Sequence, residues 1–335
     1  MGRLNAVRPL WAIEGGRVTI EGDGFPVDPQ LPRVRIGGEP ARLAKASPTA
    51  LTMIVPPGLE GGQTAIRVEE MPGETAYVEI GAPLATGVHQ VDSPAYDRRG
   101  NLYVTFSGSR GQQAPVSLFV VRPDGTREPF GSDVPNPTSL AFDAAGQLFV
   151  SSRFDGSVYR VSADGRATLY ANELGVACGL AFGPGGSLFV GDRSGSILRV
   201  HPDGRTETFA SLPSSVAAFH LAFGPDGALY VTGPTLGPSD AIYRIPPDGH
   251  PEIWAAGFGR PQGLAFDAAG QLYVVDALAG ASALYRVRAD SPGTRELLLD
   301  GGPLIGVAFD PHGGLAIATT DSVYRLAVGL HGFLP

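Results

Sequence analysis

Asp92, in the run Asp92-Ser93-Pro94, begins a series of chemically distinct residues that stand just ahead of recurring apolar triplets: Thr138, Cys178, Phe219 with His220, Gln262 and Ile305. If those triplets close into a ring, one residue per repeat meets at a common axis. A carboxylate, a hydroxyl, a thiol, an imidazole and an amide brought together could bind a ligand by hydrogen bonds or hold a cation. Hard cations such as Ca²⁺ and Mg²⁺ need several oxygen ligands, usually including carboxylates, and only Asp92 supplies one here. A softer ion such as Zn²⁺ could use Cys178 and His220. The plainer reading makes Cys178, set among Val, Ala and Gly, a small buried hydrophobe, and His220 a hydrogen-bonded filler. A Cys–His nucleophilic pair needs a third group to orient the imidazole, and none is visible in the sequence. No catalytic residue and no metal ligand is therefore assigned, with Asp92 the position for one divalent cation, Ca²⁺ or Zn²⁺, in the alternative reading.

The elements that must position these residues follow from repetition. SPAYDRRGNLYVT (93–105), TSLAFDAAGQLFVS (138–151), CGLAFGPGGSLFVG (178–191), HLAFGPDGALYVT (220–232), QGLAFDAAGQLYVV (262–275) and IGVAFDPHGGLAIA (305–318) are copies of one unit. Their turn glycines, Gly100, Gly146, Gly186, Gly227, Gly270 and Gly313, recur every 40 to 46 residues. Periods of that size, built from several short strands, mark a β-propeller. Each unit carries a second half, as in SVYRVSADGR (157–166) and AIYRIPPDGH (241–250), whose Asp-Gly turn predicts a strand–turn–strand. A four-stranded blade results, and six copies predict six blades. The last copy stops after Leu326 without its fourth strand, so residues 79–86 are expected to supply it, closing the ring and covering an exposed sheet edge.

Residues recurring in every copy read as structure. Arg160, Arg199, Arg244, Arg286 and Arg325 are expected to pack their stems between blades and cap loop carbonyls. Asp124, Asp164, Asp203 and Asp248 read as turn formers. Function should lie where the copies differ. The turns between second and third strands open on the same end as the axial residues, and three are long: 107–115, 233–240 and 277–282. With Arg110, Arg153, Asp155, Asp192, Arg193 and Asp276 they form a mixed-charge mouth, and loops on a rigid scaffold are where binding residues gather. The candidate ligand-binding set is thus Asp92, Thr138, Cys178, His220 and Gln262 at the axis with those six at the rim.

Residues 1–80 lack the period. Short alternating strands such as GGRVTIEGDGFP (15–26) and ALTMIVPPG (50–58) predict a small Ig-like β-sandwich, leaving 81–335 for the propeller. The fold class expected is all-β: that sandwich, then a six-bladed propeller closed by an N-terminal outer strand. With 335 residues, 43% hydrophobic, the chain can bury more than one core. Cys178 is the only cysteine, which excludes an internal disulfide. A net charge of -8 with no basic block argues against a nucleic-acid partner. No run approaches a membrane span and no signal-peptide pattern opens the chain. An extracellular or periplasmic site is expected if a signal has been removed, and a cytoplasmic one otherwise; a monomer is expected.

Two resemblances refine this reading. Gly15-Gly16-Arg17-Val18-Thr19-Ile20, Gly22-Asp23-Gly24-Phe25, Val34-Arg35-Ile36-Gly37-Gly38 and Val55-Pro56-Pro57-Gly58 resemble the IPT/TIG immunoglobulin-like family, whose members mostly serve as spacers or contact surfaces. GLAFDAAGQLYVVD (263–276) followed by ALYRVRAD (283–290) is similar to NHL-repeat propellers and to the regucalcin/gluconolactonase family of metal-dependent lactonases. The lactonase resemblance implies an acid before Ser-Pro on blade one, Asn on blades three and four and Asp on blade five, together binding a divalent cation. Asp92 fits the first position; Cys178, Phe219 and Gln262 stand at the others. The reading that follows is a non-catalytic recognition protein, without cofactor, whose loop face binds a protein, peptide or glycan. The alternative is a lactonase-type hydrolase with a rebuilt site.

Overall fold

The computed structural model describes residues 3–108, 114, 116–131, 133–278 and 280–333. Four antiparallel strands form each repeat, in sequence order in all but the last, as in Pro137–Phe142, Leu148–Ser152, Ser157–Val161 and Ala167–Ala171. The turns between third and fourth strands explain themselves. Asp124, Asp203 and Asp248 each accept the N–H two residues on, at 2.9–3.1 Å, while Gly125, Gly204 and Gly249 take φ of 80–86°, open to glycine at no steric cost.

Five such four-stranded sheets stand alone. The expected sixth is not separate. Its four strands, Pro261–Phe266, Leu272–Asp276, Ala283–Arg288 and Ser291–Asp300, pair in order but belong to a twelve-stranded sheet shared with the N-terminal module. The link is Trp11–Ala12, which lies parallel to both Ser291–Asp300 and Ala76–Ile80, with Trp11 opposite Leu299 on one side and Glu79 on the other. Inner strands contact their neighbours in chain order, and Leu304–Phe309 returns to Ala95–Tyr96, so the propeller closes on itself. Ala82–Thr86 pairs antiparallel with Ser322–Leu326 and completes the last sheet.

Aromatic pairs hold neighbouring sheets together. Tyr103–Phe142, Phe149–Phe182, Phe189–Phe223, Tyr230–Phe266 and Tyr273–Phe309 meet edge to face with centroids 4.8–5.3 Å apart, each joining a second strand to the next inner strand. The recurring arginines lie beside them but end on side chains, where loop carbonyls were expected. Arg244 reaches Asp226 and Glu252 at 2.8 and 2.7 Å, Arg286 reaches Glu296 at 2.5 Å and Arg325 reaches Asp310 at 2.6 Å. Carboxylates at those sites give a planar guanidinium a stronger, charge-assisted partner than a carbonyl.

The N-terminal module builds its own core from Val18, Ile20, Phe25, Ile36, Leu51, Met53 and Ile66. Ile13 is fully buried in the propeller's cluster with Leu299 and Leu304 instead. Arg17 Nε reaches both Asp300 oxygens at 3.0 and 3.1 Å, and a Cβ on Gly16 would lie 2.2 Å from the Asp300 carbonyl oxygen. The two modules therefore meet backbone to backbone.

Candidate functional site

Of the residues expected at the axis, Asp92 and His220 meet in space. Asp92 enters from the segment before the first sheet, and His220 opens the inner strand His220–Phe223 of the fourth. Asp92 Oδ1 stands 2.5 Å from His220 Nδ1 and accepts the Ser93 N–H at 2.5 Å. Both side chains are almost wholly enclosed, at 7% and 1% exposed. The ring contact is close but off-line: neither ring nitrogen has an aligned hydrogen-bond partner among the described residues. Asp92 thus packs against His220 Nδ1 without an aligned hydrogen bond, a contact between the first and fourth repeats that the sequence did not reveal.

Cys178 lies near this pair. Burial pushes its thiol up to about 12, the negative Asp92 adds to the rise, and a backbone hydrogen bond from Phe219 opposes it. The reactive species of cysteine is the thiolate, so at neutral pH Cys178 is an inert thiol. Phe219 is displaced from the axis. A Cβ on Gly191 would fall 2.7 Å from Phe219 Cβ, and one on Gly233 would fall 2.4 Å from its ring, so two glycines make room for the phenyl in the core between sheets. Thr138 is buried, with its hydroxyl 3.4 Å from the Asn136 carbonyl, and Gln262 is half-buried.

The rim acids have structural partners. Asp192 accepts the Val176 N–H at 2.7 Å and the Ser194 hydroxyl; Asp276 accepts the Gly259 and Arg260 N–H groups at 2.9 and 2.6 Å. Asp155 binds the Ser157 N–H and the Tyr159 hydroxyl at 3.1 and 2.5 Å. These carboxylates anchor the segments around them. Arg193 donates to the Val216 carbonyl at 2.8 Å and Arg153 to Gly108 at 3.3 Å. Arg110 lies outside the described residues, as does most of the 107–115 turn.

What the sequence reading missed at the rim is apolar. Phe154, Leu236 and Leu278, each in a turn between second and third strands, are 52, 92 and 46% exposed. A large apolar residue in a turn that faces solvent was the available signal.

A hard dication does not fit this hub. Among the described residues, Asp92 lies against a histidine and accepts a backbone N–H, Asp192 accepts the Val176 N–H and the Ser194 hydroxyl, a protonated thiol stands near Asp92, and Phe219 packs between sheets. Among the described residues no group of three or more His, Cys, Asp or Glu side chains is placed to hold a metal.

Residues 4–76 match the model of the IPT/TIG domain. No curated protein matches the chain. A gluconolactonase from Xanthomonas campestris aligns with a TM-score of 0.61 at 20% identity, covering 73% of this chain and 88% of that one. A calcium-binding regucalcin from Agrobacterium tumefaciens gives 0.60 at 18% identity, over 76% of this chain and 95% of its own. An auxiliary nutrient binding protein from Bacteroides ovatus gives 0.56 at 16% identity and covers 97% of both chains. At these identities the likeness is one of fold.

Proposed function

We propose that this is a non-catalytic recognition protein: a TIG-type sandwich, residues 1–80, carrying a six-bladed propeller, residues 81–335, whose loop face binds a protein, peptide or glycan. Counting the meander Pro261–Phe266 to Ser291–Asp300 as a blade supports the sixfold reading. In such a ring the first and fourth blades face each other, so Asp92 and His220 meet across the axis.

That pairing carries the proposal. The single acidic side chain of the hub is spent on closing it, which leaves the rim as the surface able to receive a ligand. Phe154 and Leu236 supply apolar contact on loops that Asp155 and Asp240 hold in place through the Ser157 and Thr235 N–H groups, and Leu278 follows Asp276, which accepts the Gly259 and Arg260 N–H groups. Apolar anchors within a polar rim are the composition of recognition surfaces. The alignment of both modules with an auxiliary nutrient binding protein agrees with this reading, whereas the gluconolactonase aligns with about the propeller's share of the chain. The test is a screen of immobilised polysaccharides and peptides against the native chain and a Phe154→Ser/Leu236→Ser/Leu278→Ser variant. The proposal expects a ligand that the variant binds at least about tenfold more weakly, the loss of two or three partly buried contacts. Equal binding by the two proteins would overturn it.

A further inference from the structure

Two long turns on neighbouring repeats each present a leucine on the loop face. Leu236, in the 233–240 turn of the fourth repeat, is 92% exposed, and Leu278, in the 277–282 turn of the fifth, is nearly half exposed. Apolar residues stand singly on most surfaces without consequence, so what decides is how these two are held. The 233–240 turn is fixed by its own polar groups. Asp240 accepts the Thr235 N–H through both carboxylate oxygens, at 3.1 and 3.2 Å, and the Thr235 hydroxyl at 2.7 Å. The same hydroxyl oxygen accepts the Gly237 N–H at 3.0 Å. From the adjoining segment the Val216 N–H and the Ser215 hydroxyl donate to the Pro234 carbonyl at 2.9 and 3.0 Å. Leu236 stands between two residues that are tied back, and its side chain stays in solvent instead of folding onto the protein.

Leu278 is held by packing. A Cβ on Gly259 would fall 2.9 Å from its Cβ and Cδ2, so the side chain lies over that glycine, next to Arg260 in the chain. The Arg260 backbone is fixed on both sides: its N–H donates to Asp276 at 2.6 Å and its carbonyl accepts the Ala277 N–H at 2.9 Å. The residue is half-buried, and its guanidinium makes no ion pair or side-chain hydrogen bond among the described residues. A turn ordered before binding loses little freedom on binding, so an apolar tip on it contributes nearly its full burial.

The chemistry of this patch selects among partners. A glycan presents hydroxyls around every ring, each costly to bury unpaired, and the carboxylates nearest the two leucines, Asp240 and Asp276, are engaged by their own turns. Branched aliphatic tips fit apolar pockets between side chains, and a guanidinium fits a carboxylate. We propose that the loop face docks a folded protein, whose apolar surface receives Leu236 and Leu278 and whose Asp or Glu pairs with Arg260. This rests on the recognition function proposed above and commits it to one class of partner.

The probe is a phage library displaying a randomised three-helix scaffold, panned on the native chain, since unbiased selection converges on the surface that yields most binding energy. Most independent clones are expected to bind Leu236→Ser and Arg260→Glu at least about tenfold more weakly, the worth of one buried leucine or one charge-assisted contact. Leu169→Ser, an exposed leucine on an outer strand, should change nothing. The same proteins are applied to an immobilised glycan array. Clones indifferent to both rim substitutions would overturn the proposal. Glycan binding abolished by those substitutions would also overturn it, while leaving loop-face recognition standing; substitutions that alter neither clones nor glycans remove both readings.

Discussion

A thiol beside a carboxylate and an imidazole has the composition of a nucleophilic site, yet burial sets Cys178 to the opposite use. Folding raises its proton affinity from near 9 to about 12. An acid raised in this way stays protonated in the folded chain while the unfolded chain ionises, so its contribution to stability is full below about pH 9 and is lost as pH climbs toward 12. Native Cys178 should leave Ellman's reagent unreacted at pH 8, with one thiol appearing once guanidinium unfolds the chain; rapid native labelling would place an accessible thiolate at the hub. The residues with chemistry were legible in the sequence as types and as axial positions. Their relations were not: Asp92 and His220 belong to different sheets, and only the closed ring brings them to 2.5 Å. Phe219 was misplaced for a related reason, since its destination depends on Gly191 and Gly233 in neighbouring strands.

Strands were the most readable level, because period-two patterning and Asp-Gly turns are local signals. The closing strand was readable as well: the last repeat lacked a partner and a matching segment lay upstream. Ala82–Thr86 covers Val323 and Tyr324 through Ala85 and Pro83. A chain starting at Val88 should therefore be less stable than one starting at Gly81 by at least about 2 kcal/mol, from lost burial of Leu84 and Ala85 and a bare strand edge. Urea melts of the two chains check this, and coincident midpoints would show that the strand contributes nothing to closure. The merger of one blade with the N-terminal sheet was not legible. It rests on the short parallel pairing of Trp11–Ala12, and two residues carry no strand pattern.

At the scale of the molecule, the N-terminal module and the propeller share a continuous sheet and a guanidinium clamp between Arg17 and Asp300, so the two are joined rather than tethered by a loose linker. The propeller then offers two ends of different character: loops with apolar tips around a hub where Asp92 and His220 meet, and a cavity lined by the ends of the inner strands and by His331–Phe333. Overall charge, -8, names no ligand for either end. The closed hub is the claim on which the recognition reading depends. Its most direct measurement is calcium and zinc titration calorimetry on the metal-free native chain and on Asp92→Ala, run beside a gluconolactone hydrolysis assay. The account predicts no saturable one-to-one cation binding and no hydrolysis above background in either protein. One equivalent of cation bound by the native chain, with lactone turnover that Asp92→Ala loses, would contradict it.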